Sequence, residues 1–88
     1  MFDIAPIKNF LDSEGRLKSM PGKRSVQAIV FEYIAQKFEQ DKQYSEPEVN
    51  VIIAGIHTFN DIAMLRRGLI DFGFLKRTPD GKAYWKEK

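Results

Sequence analysis

His57 is the only histidine in the chain, and there is no cysteine. Disulfides, cysteine-rich zinc sites, thiol catalysis and histidine-rich metal sites are therefore excluded. Ser13, Ser19, Ser25 and Ser45 have no histidine placed by any signal as a base, so a hydroxyl nucleophile is not expected. Glu46 and Glu48 are two residues apart. On a helix they point to different faces and cannot work as an acid/base pair. The glycines are scattered and make no phosphate-cradling loop. No enzyme, metal or cofactor is expected from these residues.

Charge offers the other chemistry. Residues 16–31 hold Arg16, Lys18, Lys23 and Arg24 with no acid, and residues 32–50 hold five acids against two lysines. Residues 76–88 are basic again, with Lys76, Arg77, Lys82, Lys86 and Lys88 against Asp80 and Glu87. Basic clusters attract polyanions, and they also serve simply as solvated surface. Arg66 and Arg67 are adjacent, about 100° apart on a helix, and cannot share a role. Arg66 borders an apolar stripe and is expected to pair with a carboxylate, Glu48 first and Glu32 second. Arg67 faces outward, as a nucleic-acid contact or a solvated charge. Tyr84-Trp85 invites base stacking, but Trp85 at the end of a small domain reads better as a core cap.

The length of 88 residues allows one modest core, because a chain of this size buries only about 60–65% of its unfolded surface. With 43% hydrophobic and 30% charged residues the chain is expected to be globular rather than disordered. Val49 to Ile56, the longest uncharged and mostly apolar stretch, is far short of the ~20 residues of a membrane span. Asp3 and Pro6 break up the start where a signal peptide would need a basic flank and an apolar run. A cytoplasmic bacterial protein is the expectation.

The elements that must position these residues follow from periodicity and punctuation. Residues 1–20 read as an N-terminal arm with a short hairpin turning at Asp12-Ser13-Glu14-Gly15, and residues 21–88 as the main domain. Helix 1, from Lys23 to Gln40, lines up Val26, Ile29, Val30, Tyr33, Ile34 and Phe38. Phe31 falls off that stripe, and either widens the core or is exposed for a partner. Gln43-Tyr44 is a minimal strand. Ser45-Glu46-Pro47-Glu48 is a capping box that opens helix 2, which buries Val49, Ile52, Ile53 and Ile56 and ends at a left-handed Gly55. His57 is a polar residue of the turn that follows. Thr58-Phe59-Asn60-Asp61 is a second capping-type start, with Asp61 complementing the dipole of helix 3, which places Ile62, Leu65, Leu69 and Phe72 inward and ends at Gly73-Phe74. Leu75–Thr78 and Lys82–Trp85 form a hairpin over Pro79-Asp80-Gly81. The expected core holds Val26, Ile29, Val30, Ile34, Val49, Ile52, Leu65, Leu69 and Leu75. The fold class is α+β: a winged helix-turn-helix of three helices with a small C-terminal β-hairpin and an N-terminal arm.

Three blocks of residues also carry a family likeness. They are Phe10-Leu11-Asp12, Gly15-Arg16-Leu17-Lys18 and Pro21-Gly22-Lys23-Arg24; then Tyr44-Ser45-Glu46 with Glu48-Val49-Asn50; then Leu65-Arg66-Arg67, Leu69, Asp71, Gly73-Phe74-Leu75, Arg77 and Tyr84-Trp85. With this spacing the chain resembles the bacterial family known as domain of unknown function 2087. Members occur alone or attached to helix-turn-helix regulators. The resemblance implies a transcriptional setting and supplies no binding residues.

Two functions are expected from different classes. The first is a nucleic-acid-binding or regulatory module. Its partner would be double-stranded DNA, held weakly and mostly through phosphate by Arg67, Lys76, Arg77, Lys82, Lys23 and Arg24. The acids at the start of helix 2 oppose it, since helix N-termini commonly meet phosphate. The second is a protein-interaction or homodimerisation module that uses Met64, Phe31 and the Phe2-Ile4-Ile7 arm.

Overall fold

The computed structural model describes residues 2–86. A short 3-10 helix, Ala5–Phe10, precedes α1 (Arg24–Ala35), β1 (Gln43–Tyr44), α2 (Glu46–Ala54), α3 (Ile62–Asp71), β2 (Leu75–Arg77) and β3 (Tyr84–Lys86). The class is α+β. The three strands form one antiparallel sheet in the order β1-β3-β2. No helix among the described residues is long and apolar enough to cross a membrane.

The punctuation read from the sequence explains most boundaries. Ser45 Oγ accepts from the Glu48 amide at 3.2 Å, and Glu48 Oε1 accepts from the Ser45 amide at 2.8 Å, closing the capping box of α2. At α3 the cap is Asp61, the last residue of the expected Thr58–Asp61 start and not its head, and it accepts from the Met64 amide at 3.2 Å. The left-handed Gly73 lets the Phe74 amide reach back to Leu69 O at 2.9 Å, which ends α3 in a Schellman turn. Gly81, also left-handed, closes the hairpin with its amide on Thr78 O at 2.9 Å.

Several expectations are corrected. α1 ends at Ala35 instead of Gln40, because Gln40 already bridges to Lys86 and Phe38 must turn back onto the edge of Tyr44. Gly55 is right-handed at φ −81°, so α2 ends through ordinary backbone bonds without a left-handed residue. Residues 7–10 are helical, and the N-terminal hairpin shrinks to one bridge between Leu11 and Leu17. Its turn is held by Asp12 Oδ1, which accepts from the amides of Glu14 and Arg16, both at 2.9 Å.

Ile7, Leu11 and Leu17 lie in the same core as Val30, Ile34, Val49, Ile53, Leu65, Leu69 and Leu75. Val26, Ile29 and Ile52, expected inside, are half-buried at its margin. Phe31 is buried, which resolves its two readings in favour of the core. It stacks tilted on Phe72 at 4.9 Å and covers Gly68 of α3. A Cβ on Gly68 would collide with Cζ and Cε1 of that ring, so this glycine sets how closely α1 and α3 approach.

Candidate functional site

The strand register sorts the hairpin side chains. Arg77 pairs with Tyr84, and Lys76 with Trp85; on the other side of β3, Tyr44 pairs with Tyr84 and Gln43 with Trp85. Alternation puts the Tyr44-Tyr84-Arg77 row on the face turned to the helices and the Gln43-Trp85-Lys76 row on the opposite face. Tyr84 is buried in the core, while Trp85 is half-buried outside it. The core cap is therefore Tyr84, not Trp85.

Arg77 thus faces the start of α2 and the outer side of α3 across a cleft of about 410 Å³. Arg66, Arg67, Arg77, Tyr84, Glu46 and Asp71 line it. Arg66 pairs with a carboxylate, but the partner is Glu46 rather than Glu48 or Glu32, with Nε 3.8 Å from Oε1. Glu48 is engaged by the cap, whose amide bond from Ser45 holds its carboxyl below the usual carboxylate range, and Glu32 is exposed on α1. Arg66 Nη1 also donates to Asn50 Oδ1 at 2.7 Å. Glu46 and Asn50 are four residues apart and share one face of α2, a spacing that was available in the sequence and points at the same guanidinium.

Glu46 Oε1 additionally accepts from the Tyr84 hydroxyl at 2.9 Å. Desolvation, together with that carboxylate, pushes the Tyr84 hydroxyl above its ordinary pKa, so it stays a donor. Tyr84, Glu46, Arg66 and Asn50 therefore form a fixed wall. Arg67 and Arg77 are exposed, and no carboxylate lies within 4.0 Å of either among the described residues. Gly81 lies beside this corner, where a Cβ would be in ordinary contact at 3.4 Å from Arg77 Nη1 and 3.7 Å from Glu46 Oε1.

The other basic candidates do not join this cleft. Lys76 lies on the far face of the hairpin. Lys82 is exposed beside the turn, its amide held by Asp80 Oδ1 at 3.0 Å. Lys23 precedes α1 and is exposed, and the Arg24 guanidinium sits 4.3 Å above the Phe72 ring at the C-terminal end of α3. A second hollow of about 280 Å³, on the α1 side of α3, is lined by Met20, Phe31, Met64 and Phe72 and shares Arg67 and Asp71 with the first.

His57 is buried in the turn between α2 and α3. Nδ1 lies 2.7 Å from Ile53 O, and Nε2 accepts from the Asp61 amide at 2.9 Å. A carbonyl can only accept, so the geometry assigns the proton to Nδ1. The ring ties the end of α2 to the start of α3. Leu17 braces the same turn, donating its amide to Ile56 O at 2.7 Å and accepting from Thr58 at 2.9 Å.

No curated protein and no solved structure matches the chain. Over residues 16–86 it matches the profile of a family described as uncharacterized protein conserved in bacteria.

Proposed function

The chain belongs to that bacterial family, DUF2087, and from this premise we propose that it is a winged helix-turn-helix module of a regulatory protein, without catalytic activity, that contacts double-stranded DNA through phosphate. One observation carries the reading. The order helix, strand, helix, helix, strand, strand, with the last strand central in the sheet, is one that a winged helix would have, and it supports the reading. α3 then corresponds to the recognition helix and the β2–β3 hairpin to the wing. The exposed side of α3 offers Ala63, Arg67 and Asp71, with Asn60 just ahead of its cap, too few base-reading groups for strong sequence preference.

Lys76 points away from the cleft and Arg24 is docked on Phe72, so Arg67, Arg77 and Lys82 are the basic residues best placed to meet one duplex. If each meets its own phosphate the log–log salt slope is roughly −2.7, and if Arg67 and Arg77 share one it is roughly −1.8, at about −0.9 per phosphate. Titrating a random duplex at several salt concentrations by fluorescence anisotropy checks this. A slope near zero, or no binding at low salt, removes the reading.

A protein-interaction role keeps one supporting observation. Val51 is 73% exposed and Ile4 41% exposed. Ile7 and Phe31, two of the elements expected to serve that role, are buried and unavailable to a partner. Sedimentation that shifts with protein concentration and is abolished by Val51→Lys would favour this second role.

A further inference from the structure

We propose that the cleft between α2, α3 and the hairpin is a binding site for a single phosphate group, with Arg67 and Arg77 as its ligands. The proposal rests on the nucleic-acid reading only for which molecule carries the phosphate. Of the three guanidinium groups in the cleft, Arg66 is already occupied by Asn50 and Glu46. It is a positioning residue that braces the wall. Arg67 and Arg77 come from separate elements, α3 and β2, line the same space, and have no carboxylate partner among the described residues.

The two acids of the cleft do not cancel them. Glu46 accepts from Tyr84 and faces Arg66. Asp71 stands one turn along α3 from Arg67 without pairing with it. Three guanidinium groups against two carboxylates leave one positive charge, the complement of a phosphodiester. Guanidinium forks match phosphate oxygens two at a time, which lysine cannot do. The space of about 410 Å³ exceeds one phosphate and leaves room for its ester substituent against Ala63 and Ile70. The shared chemistry is the phosphate group, carried by a duplex backbone or by a small phosphate compound.

The test uses the 15N-labelled protein. Arginine Nε–Hε signals are followed as inorganic phosphate, then pyrophosphate, is added, and anisotropy is followed with a random duplex. The variants are Arg67→Gln, Arg77→Gln and, on the far face of the hairpin, Lys76→Gln. All three residues are exposed, and unchanged melting temperatures exclude misfolding. The expected result is that Arg67→Gln and Arg77→Gln each weaken duplex binding roughly tenfold, the loss of one charge-assisted contact, while Lys76→Gln changes it far less. Duplex binding that ignores Arg67 and Arg77 overturns the cleft site and leaves the nucleic-acid reading standing. No duplex binding at low salt, with phosphate or pyrophosphate still shifting Arg67 and Arg77, overturns the nucleic-acid reading and assigns the cleft to a small phosphate compound. No response to any of the three overturns both.

Discussion

α3 has two sides that do opposite things. The inner side, with Leu65, Gly68 and Leu69, is buried and set by volume: no Cβ fits at Gly68 under the Phe31 ring. The outer side, with Ala63, Arg67 and Asp71, is open and set by charge. Arg66 stands between them, half-buried and held by α2. The difference separates what fixes the helix from what it presents. Volume decides where α3 lies, and the groups it offers can then vary at little structural expense.

The largest expected effect breaks the inner side. Gly68→Ala gains about 1 kcal/mol of helix propensity but forces an overpacking cost of about 1–3 kcal/mol, occasionally more. Phe72 packs against the Phe31 ring and restricts how it can yield. Three atoms of the Phe31 ring stand closer than a Cβ tolerates, which puts the cost at the upper end, about 3 kcal/mol, and a net loss of about 2 kcal/mol is expected. For a domain of this size it lowers the melting temperature by roughly 8–16 °C. An unchanged or higher value by calorimetry would mean that the two helices are not held by this contact.

A smaller effect sharpens the boundary. Arg66→Ala removes a charged hydrogen bond to Asn50 and a long contact to a partly exposed Glu46. It should cost about 1–2 kcal/mol. Arg67→Ala should stay within about 0.5 kcal/mol. Urea unfolding of the two variants, with Asn50→Ala to complete a double-mutant cycle, measures the contrast. Equal losses at 66 and 67 would erase the distinction between positioning and presented arginines.

The smallest effect is on neither side of α3. Hydrogen bonds depress the carboxyl of Asp12, chiefly that from the Arg16 amide, and of Asp80, chiefly that from the Thr78 hydroxyl. Glu48 is depressed in the same way by Ser45. A depressed carboxyl favours the fold above its ordinary pKa, and that contribution disappears as pH falls through the folded value. Melting temperature should therefore hold down to about pH 4 and decline below it. Asp12→Asn should flatten part of that decline, because its share no longer titrates. A decline beginning near neutrality would point to another group.

Legibility follows the range of the interaction. The cap at Ser45, the stop at Gly73-Phe74 and the turn at Gly81 are decided within five residues, and the sequence states them outright, while at α3 it gives the Thr58–Asp61 segment but not that Asp61 is the cap. The end of α1, the pairing of Arg66 and the sheet face of Trp85 depend on residues far along the chain. For those, periodicity gives the face but not the neighbour. Gly68 carries no local signal, because a mid-helix glycine has meaning only once Phe31 is above it. His57 reads as a polar turn residue and lies in that turn, buried. The spacing from Ile53 to His57 to Asp61 hinted at its two bonds, but burial could not be read there. The cleft is half legible: Arg67 and Arg77 stand out as charges, and only strand register separates Arg77 from Lys76.

The sheet's arrangement also governs self-association. β3 is central and both its edges are taken, so the free edges belong to β1, with two residues, and β2, with three. β2 carries Lys76 and Arg77, and Pro79 follows just beyond it. An incoming strand would find few open amides, two like charges and a proline. Growth of the sheet into a cross-β stack is thereby disfavoured, and two copies of this chain that met would have to do so side chain to side chain.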